Sequence, residues 1–210
     1  MSDAKMQLAH TALETRFVRL EPMGEAHKED FRAACNEDEV TWKALYPFSW
    51  AGEHFEPNWM RIHRDREAGT FLPYAVVADG RCRGITGYLT PEATNATVEI
   101  GGTWYHPDLR GGPVNPAAKR LLLAHAFDAG ARRVQFKVDA INARSRAAVT
   151  KLGAVQEGVL RQDRLCWTGR VRDTVFFSIL RDEWPAARER LDARLAAYAQ
   201  SHSAEAADVG

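Results

Sequence analysis

The chain has 210 residues, enough to bury a core without disulfides or metals, and its 28 basic residues are balanced by 28 acidic ones. That balance supplies no whole-molecule field for a nucleic acid or an anionic membrane, so no direct binding to either is expected. Cys35, Cys82 and Cys166 are scattered with no Cys-x-x-Cys pair, the N-terminal MSDAKMQLAHTALET lacks an apolar signal region, and no long uncharged apolar run is present; these features predict a soluble cytoplasmic protein without a zinc site.

Residues 1–14 are polar and read as a flexible N-terminus. Residues 16–21 (RFVRLE) alternate as a strand ended by Pro22, and residues 24–36 read as a helix with Ala26, Phe31, Ala34 and Cys35 on one face. An aromatic stretch over 38–50, broken by Pro47, carries Trp42, Leu45, Tyr46, Phe48 and Trp50. The spacing of Phe55, Trp59 and Ile62 predicts a helix over 53–68, stopped by Gly69. Strands follow at 71–78 and 83–89, joined by a hairpin turn at Asp79-Gly80, and a third at 97–105. Next come a helix over 116–128, a strand at 133–139, a helix over 142–152 and strands at 154–167 and 171–180. Asp182 is placed as the N-cap of a last helix striped by Trp184, Ala187, Leu191, Leu195 and Tyr198, a stripe suited either to its own sheet or to a homodimer. The pattern predicts one α+β domain over 15–198, a mixed and mostly antiparallel sheet flanked by helices with a C-terminal helix, and a disordered tail over 199–210.

Three stretches carry candidate chemistry. In Arg110-Gly111-Gly112-Pro113-Val114-Asn115-Pro116 a loop leads into a helix, with Asn115 as N-cap and Pro116 at the first helical position. The N–H groups of Gly111, Gly112, Val114, Asn115, Ala117 and Ala118 would suit an anion, although an ordinary capped turn reads the same way. The loop lacks the Gly-Lys-Ser/Thr of a P-loop and the third glycine of a dinucleotide fingerprint. In the preceding strand, Thr97, Glu99 and Gly101 share one face, and Glu99 before a glycine pair is a candidate general base or a sheet carboxylate paired with an arginine. Further on, Asn142 caps a helix whose first turn holds Ser145, a hydroxyl at the positive end of the dipole or a plain exposed serine. The histidines lack metal-ligand spacing, so no metal is expected.

Together EIGGTWYHPDLRGGPVNPAAKRLLLAHAF, VQFKVDAINARSRAAVTKLGAVQEGVLR and GRVRDTVFFSILRDEW resemble the GNAT superfamily of acyl-CoA-dependent N-acetyltransferases, and within it the RimJ/RimL-type branch that includes ribosomal-protein N-terminal acetyltransferases. The resemblance spans about residues 16–195 and implies a sheet that opens as a V between the strand of Glu99 and the strand at 133–139. Acetyl-CoA would lie in the V, its pantetheine along the backbone of Trp104 and Tyr105, its pyrophosphate on Arg110, Gly111, Gly112, Val114 and Asn115, and Asn142 beside the sulfur. Arg110 matches the first position of the family's Gln/Arg-x-x-Gly-x-Gly/Ala pattern, whereas Pro113 and Asn115 fill the two small-residue positions and Pro113 removes an N–H donor.

The implied reaction is direct attack of an amine on the acetyl thioester in a ternary complex, with Glu99 taking the proton through water and Ser145 helping the thiolate leave. An α-amine of pKa about 8 is roughly 10% neutral at pH 7 and a lysine near 10.4 under ~0.1%, a gap of roughly 3 kcal/mol that favours a peptide N-terminus or another weakly basic amine. Trp42, Tyr46, Trp50 and Asp173 are the expected acceptor-binding residues. A small-molecule amine (amino acid, drug or polyamine) acetyltransferase and a non-catalytic acyl-CoA-binding module are the alternatives.

Overall fold

The computed structural model describes residues 5–207. Its eight strands form one sheet in the order β1-β2-β3-β4-β5-β6-β8-β7, with β1 Leu13–Thr15, β2 Val18–Pro22, β3 Phe71–Ala78, β4 Arg81–Glu92, β5 Thr97–Tyr105, β6 Arg133–Asp139, β7 Val155–Leu165 and β8 Val171–Leu180. Every neighbouring pair is antiparallel except β5 and β6. Helices α1 Lys28–Asn36, α2 Glu39–Leu45 and α3 Phe55–Glu67 cover one face, and α4 Val114–Asp128 and α6 Trp184–Ala207 cover the other, while α5 Ala143–Lys151 follows β6.

The apolar periodicities explain the two layers. Phe31, Ala34 and Cys35 of α1 and Phe55, Trp59 and Ile62 of α3 point into one core with Trp42, Trp50 and Trp104. Ala117, Ala118, Leu122, Leu123 and Ala126 of α4 pack with Tyr88, Val98, Ile100, Val134 and Phe136 in the other. Asp79 and Gly80 both take positive φ (51° and 73°), as the tight turn pairing Ala78 with Arg81 requires.

Four boundaries differ from the sequence reading. Residues 5–14 of the expected flexible terminus are tied down, with Met6 4% exposed, Gln7 N donating to Ala129 O at 2.9 Å and β1 pairing with β2; Met1 to Ala4 lie outside the described residues. The aromatic stretch contains α2, because Trp42 anchors a helical turn in the core. The last helix is capped by Glu183, whose carbonyl accepts from Ala187 N at 3.1 Å, rather than by Asp182, and it continues through Ala207 into the segment expected to be disordered. Its stripe is used on α4, where Trp184 stacks on Phe127 at 5.4 Å and Arg120 pairs with Asp192. Among the described residues, no helix is long and apolar enough to cross a membrane.

Candidate active site

The sheet opens where its pairing changes direction. β5 and β6 share three residue pairs, Thr97–Arg133, Val98–Val134 and Glu99–Gln135, and then part. Beyond that point β5 stays with β4 as far as Tyr105–Gly84, and β6 stays with β8 as far as Asp139–Thr174. Glu99 stands on the last shared pair, 8% exposed, with Oε2 held by Lys137 Nζ at 2.8 Å. A Cβ at Gly101 would come within 2.9 Å of Glu99 Oε1 and 2.7 Å of Leu89 Cδ1, so glycine there makes room for the carboxylate. This agrees with Glu99 and Gly101 sharing a face, although the partner is a lysine and not an arginine.

The expected bulge is present. Between Ile85–Trp104 and Gly87–Gly101, β4 advances two residues and β5 three, and Gly102 takes φ +60°. The extra residue turns Thr103 so that its carbonyl accepts from Tyr46 Oη at 2.9 Å while its hydroxyl meets Thr86 Oγ1 at 2.8 Å and Lys119 Nζ at 2.8 Å. His106 N donates across to Arg83 O at 2.8 Å, so by strand alternation the Tyr105 main chain faces the gap.

At the far end of β5 the chain passes through a short 3-10 turn, Pro107–Leu109, into the glycine loop. α4 begins at Val114 with Pro113 as its N-cap, two residues before the expected Asn115 cap, and the Ala117 N–H is spent on Pro113 O at 2.9 Å. Pro116 therefore lies at the third helical position and Ala117 is not a free donor, which corrects the predicted donor set. The N–H groups of Gly111, Gly112, Val114 and Asn115 have no partner among the described residues, Gly111 takes φ +83°, and nothing lies within 4 Å of where a Cβ would sit on either glycine. Four unpaired N–H groups around the N-terminus of a helix of 15 residues suit an oxyanion. Tyr198 of α6 closes one side by donating to Gly111 O at 3.0 Å.

Arg110 is turned away from that loop. Its Nε donates to Tyr105 O at 2.9 Å, NH1 to Thr41 Oγ1 at 3.3 Å and NH2 to Asp38. Burial pushes the Asp38 carboxyl up, but hydrogen bonds from Thr41, Arg110 and Trp104 outweigh it and hold it below the ordinary carboxylate range. The guanidinium expected to meet a pyrophosphate is thus committed to a buried carboxylate 72 positions earlier, and only the loop's backbone remains for an anion.

Across the gap, Asn142 caps α5 as expected, its Oδ1 accepting from Ser145 N at 3.0 Å. Ser145 is half-buried in the first turn and its hydroxyl has no hydrogen-bond partner among the described residues. The acceptor assignments fare less evenly. Trp42 is 0% exposed, stacked on Trp104 at 4.9 Å with Nε1 donating to Cys35 O, and Trp50 is 2% exposed against Phe31 and Phe55. Both spend their surface on the core and leave none for an acceptor. Tyr46 stands at the gap through Thr103, its phenol pushed up by burial. Asp173 is half-buried and its Oδ1 accepts from Gln162 N at 2.7 Å, filling an irregularity in β7.

Sequence reasoning missed Lys119, which is 6% exposed beneath α4 with only the Thr86 and Thr103 hydroxyls as partners among the described residues. Burial, with no carboxylate to offset it, pulls its ammonium down to about 7. The signal was available: Lys119 falls three and four positions before Leu122 and Leu123 on the apolar face. Burial also pushes the Cys35 thiol up and that of Cys82 up to about 12, so neither supplies a ready thiolate. Among the described residues no group of three His, Cys, Asp or Glu side chains could hold a metal ion.

A profile of the acetyltransferase (GNAT) domain matches residues 18–155, which includes the whole of β5, the glycine loop and α5. The chain belongs to the GNAT acetyltransferase family. It is an N-acetyltransferase, and its sheet, split between β5 and β6, is that family's fold. A solved protein from T. thermophilus designated an acetyltransferase is 36% identical, with 88% of this chain and 97% of that one covered and a TM-score of 0.78. Mycobacterium smegmatis RimJ in complex with CoA-disulfide is 22% identical, with 87% and 94% covered and a TM-score of 0.76. RimL, a ribosomal L7/L12 α-N-protein acetyltransferase, is 15% identical, with 84% and 99% covered and a TM-score of 0.72; at these identities the two share the GNAT fold with the chain. A comparison with curated proteins returned no match.

Proposed function

We propose that this GNAT enzyme moves an acetyl group from acetyl-CoA to a weakly basic primary amine, a peptide or protein N-terminus first among them, by direct attack in a ternary complex. The observation that carries the reading is the gap beyond the Glu99–Gln135 pair, with an open strand edge on one arm and unpaired N–H groups on the helix N-terminus that follows it. The fit to a coenzyme rests on those donors: Gly111, Gly112, Val114 and Asn115 would hold the pyrophosphate by backbone alone, and the gap-facing Tyr105 N–H would pair with a pantetheine carbonyl, whereas the Trp104 main chain, one residue back, turns toward β4. Bound there, acetyl-CoA supplies an activated thioester carbonyl.

The chain's own residues supply the rest. Glu99 keeps one oxygen on Lys137, and the other lies beside the bare Cα of Gly101, on the face that carries α1 to α3. From there it takes the amine's proton through a water. Ser145, beside the capped turn of α5, offers its hydroxyl to the departing sulfur at the positive end of the helix dipole. The RimJ neighbour carries CoA-disulfide and the RimL neighbour is named for an N-terminal α-amine, which supports both halves of the reading.

The test is a thermal-shift titration with acetyl-CoA, followed by acetylation assays on peptide N-termini and small amines. Ligand at 100 times its Kd adds about 2.7 kcal/mol, a rise of roughly 5–10 °C for a chain of this size. No shift and no transfer would defeat the reading; a shift without transfer to any amine would leave a binding module in its place.

A further inference from the structure

On the face that carries α1 to α3 lies a guanidinium with no hydrogen-bond or ion-pair partner among the described residues. Arg61 lies on α3 one turn after Asn58, whose Nδ2 donates to Ser49 O at 2.6 Å and ties the helix to the 46–50 loop. The Arg61 guanidinium rests on the Phe48 ring at 4.6 Å. Its Nε is sealed from solvent with no hydrogen-bond partner, and the side chain makes no ion pair among the described residues. Burial pulls it below the ordinary arginine range; Asp65, one turn on, attracts it from beyond contact, while Arg164 and Arg64 repel it.

Its surroundings place it near the β7–β8 hairpin, which flanks the open end of β6. The loop under Arg61 is bonded to the β7–β8 turn, Trp167 N donating to Pro47 O at 3.1 Å. Arg164 of β7 pairs across the hairpin with Arg172 of β8, and Arg172 Nε lies 3.9 Å from Asp139 Oδ2 at the end of β6. Arginines thus run from α3 across the hairpin to the strand that opens onto Asn142 and Ser145. The carboxylates facing them are already engaged or distant: Asp139 is held by Arg170 and bonded to Ile141 N, and Asp163 acts on Arg172 from β7. A half-buried guanidinium whose Nε is sealed and unpaired, and whose terminal nitrogens bond no described residue, matches a planar carboxylate.

Resting on the acetyl transfer proposed above, we propose that Arg61, backed by Arg164 and Arg172, forms a carboxylate subsite, so that the acceptor is an amine bearing its own carboxylate, either an acidic residue at a peptide N-terminus or a free amino acid. Two pairs of acceptors test it: C-terminally amidated tetrapeptides beginning with Glu or with Gln, and free alanine against alaninamide. Each is assayed with the native protein and with Arg61→Gln, and the ratio between the two proteins cancels differences in amine basicity. Loss of a charge-assisted pair corresponds to roughly a 10–100-fold change.

The expected result is that Arg61→Gln raises KM by about tenfold or more for the acid of at least one pair, leaves its amide partner and the KM for acetyl-CoA unchanged, and moves Tm little, because only the stacking on Phe48 is given up. The peptide pair responding points to an acidic N-terminus, the alanine pair to a free amino acid. Arg61→Lys should recover part of the affinity. Equal handling of acids and amides by the native protein, or a preference that survives Arg61→Gln, overturns the subsite while leaving acetyl transfer intact. A protein that binds no acetyl-CoA and acetylates neither set overturns the transfer reading itself.

Discussion

The two approaches to the gap are built from different materials. On the proposed donor side, residues 104–115 follow one another in the chain and offer main-chain N–H groups, with nearby side chains such as Arg110 and Trp104 drawn into the interior. On the proposed acceptor side, the 46–50 loop (Tyr46, Phe48), α3 (Arg61) and the two hairpin strands (Arg164, Arg172) would act through their side chains. A backbone site tolerates sequence change as long as the turn keeps its shape, whereas a side-chain site changes its preference with one substitution. Such a fold can keep one donor while its acceptor drifts.

Four measurements bear on that contrast. Glu99→Gln, where the two approaches meet, should lower kcat by roughly 10²–10⁴ with the KM for acetyl-CoA unchanged, read by steady-state kinetics. Arg110→Ala should cost stability and leave donor binding nearly intact, because it removes the charged partner of the buried Asp38 carboxylate and leaves only Thr41 and Trp104 as donors; about 3 kcal/mol in chemical denaturation is expected at neutral pH. The native carboxyl sits below its unfolded value, so this contribution is present above about pH 4 and fades as pH falls through the folded value, and the two proteins should converge in acid.

Lys119→Met should stabilise the protein, most at and below pH 7. With its ammonium near 7 in the fold and near 10.5 when unfolded, the unfolded chain binds the extra proton between those values. Native stability therefore rises with pH across that window by up to about 1.4 kcal/mol per unit, and the variant's advantage shrinks accordingly. Paired urea titrations at pH 6.5 and 9.5 read the difference. Gly111→Val forces a β-branched residue to φ +83° and should raise the KM for acetyl-CoA roughly tenfold with the KM for the acceptor unmoved. If Arg110→Ala instead weakens acetyl-CoA as much as Gly111→Val does, the division between backbone and side-chain sites fails.

The same division explains what was legible in the sequence. Asn142 was readable as a cap because its partner, Ser145 N, is three residues away, and Gly101 and Gly102 announced a bulge within their own strand. Glu99 could be placed on its face by alternation alone. Arg110, Trp42 and Trp50 were misplaced because what fixes them is remote: Asp38 lies 72 residues from Arg110, and the Trp42 and Trp50 rings are closed in by Trp104, Phe31 and Phe55. Arg61 carried no local sign, since Phe48 and Arg164 become its neighbours only once the sheet has formed. Asn115 looked like a cap because it precedes Pro116, but Pro113 takes that position and the helix starts a half-turn sooner.

The parting of β5 from β6 also has a mechanical consequence. Three residue pairs form the backbone seam between a plate of five strands and a plate of three, a thinly paired joint in the middle of the sheet. A molecule lodged in the gap would brace the two plates against each other. Amides of Val134 to Val138 and of Thr103 to Tyr105 should then exchange with deuterium more slowly in saturating acetyl-CoA, while those of β2 and β3, far from the seam, keep their rates.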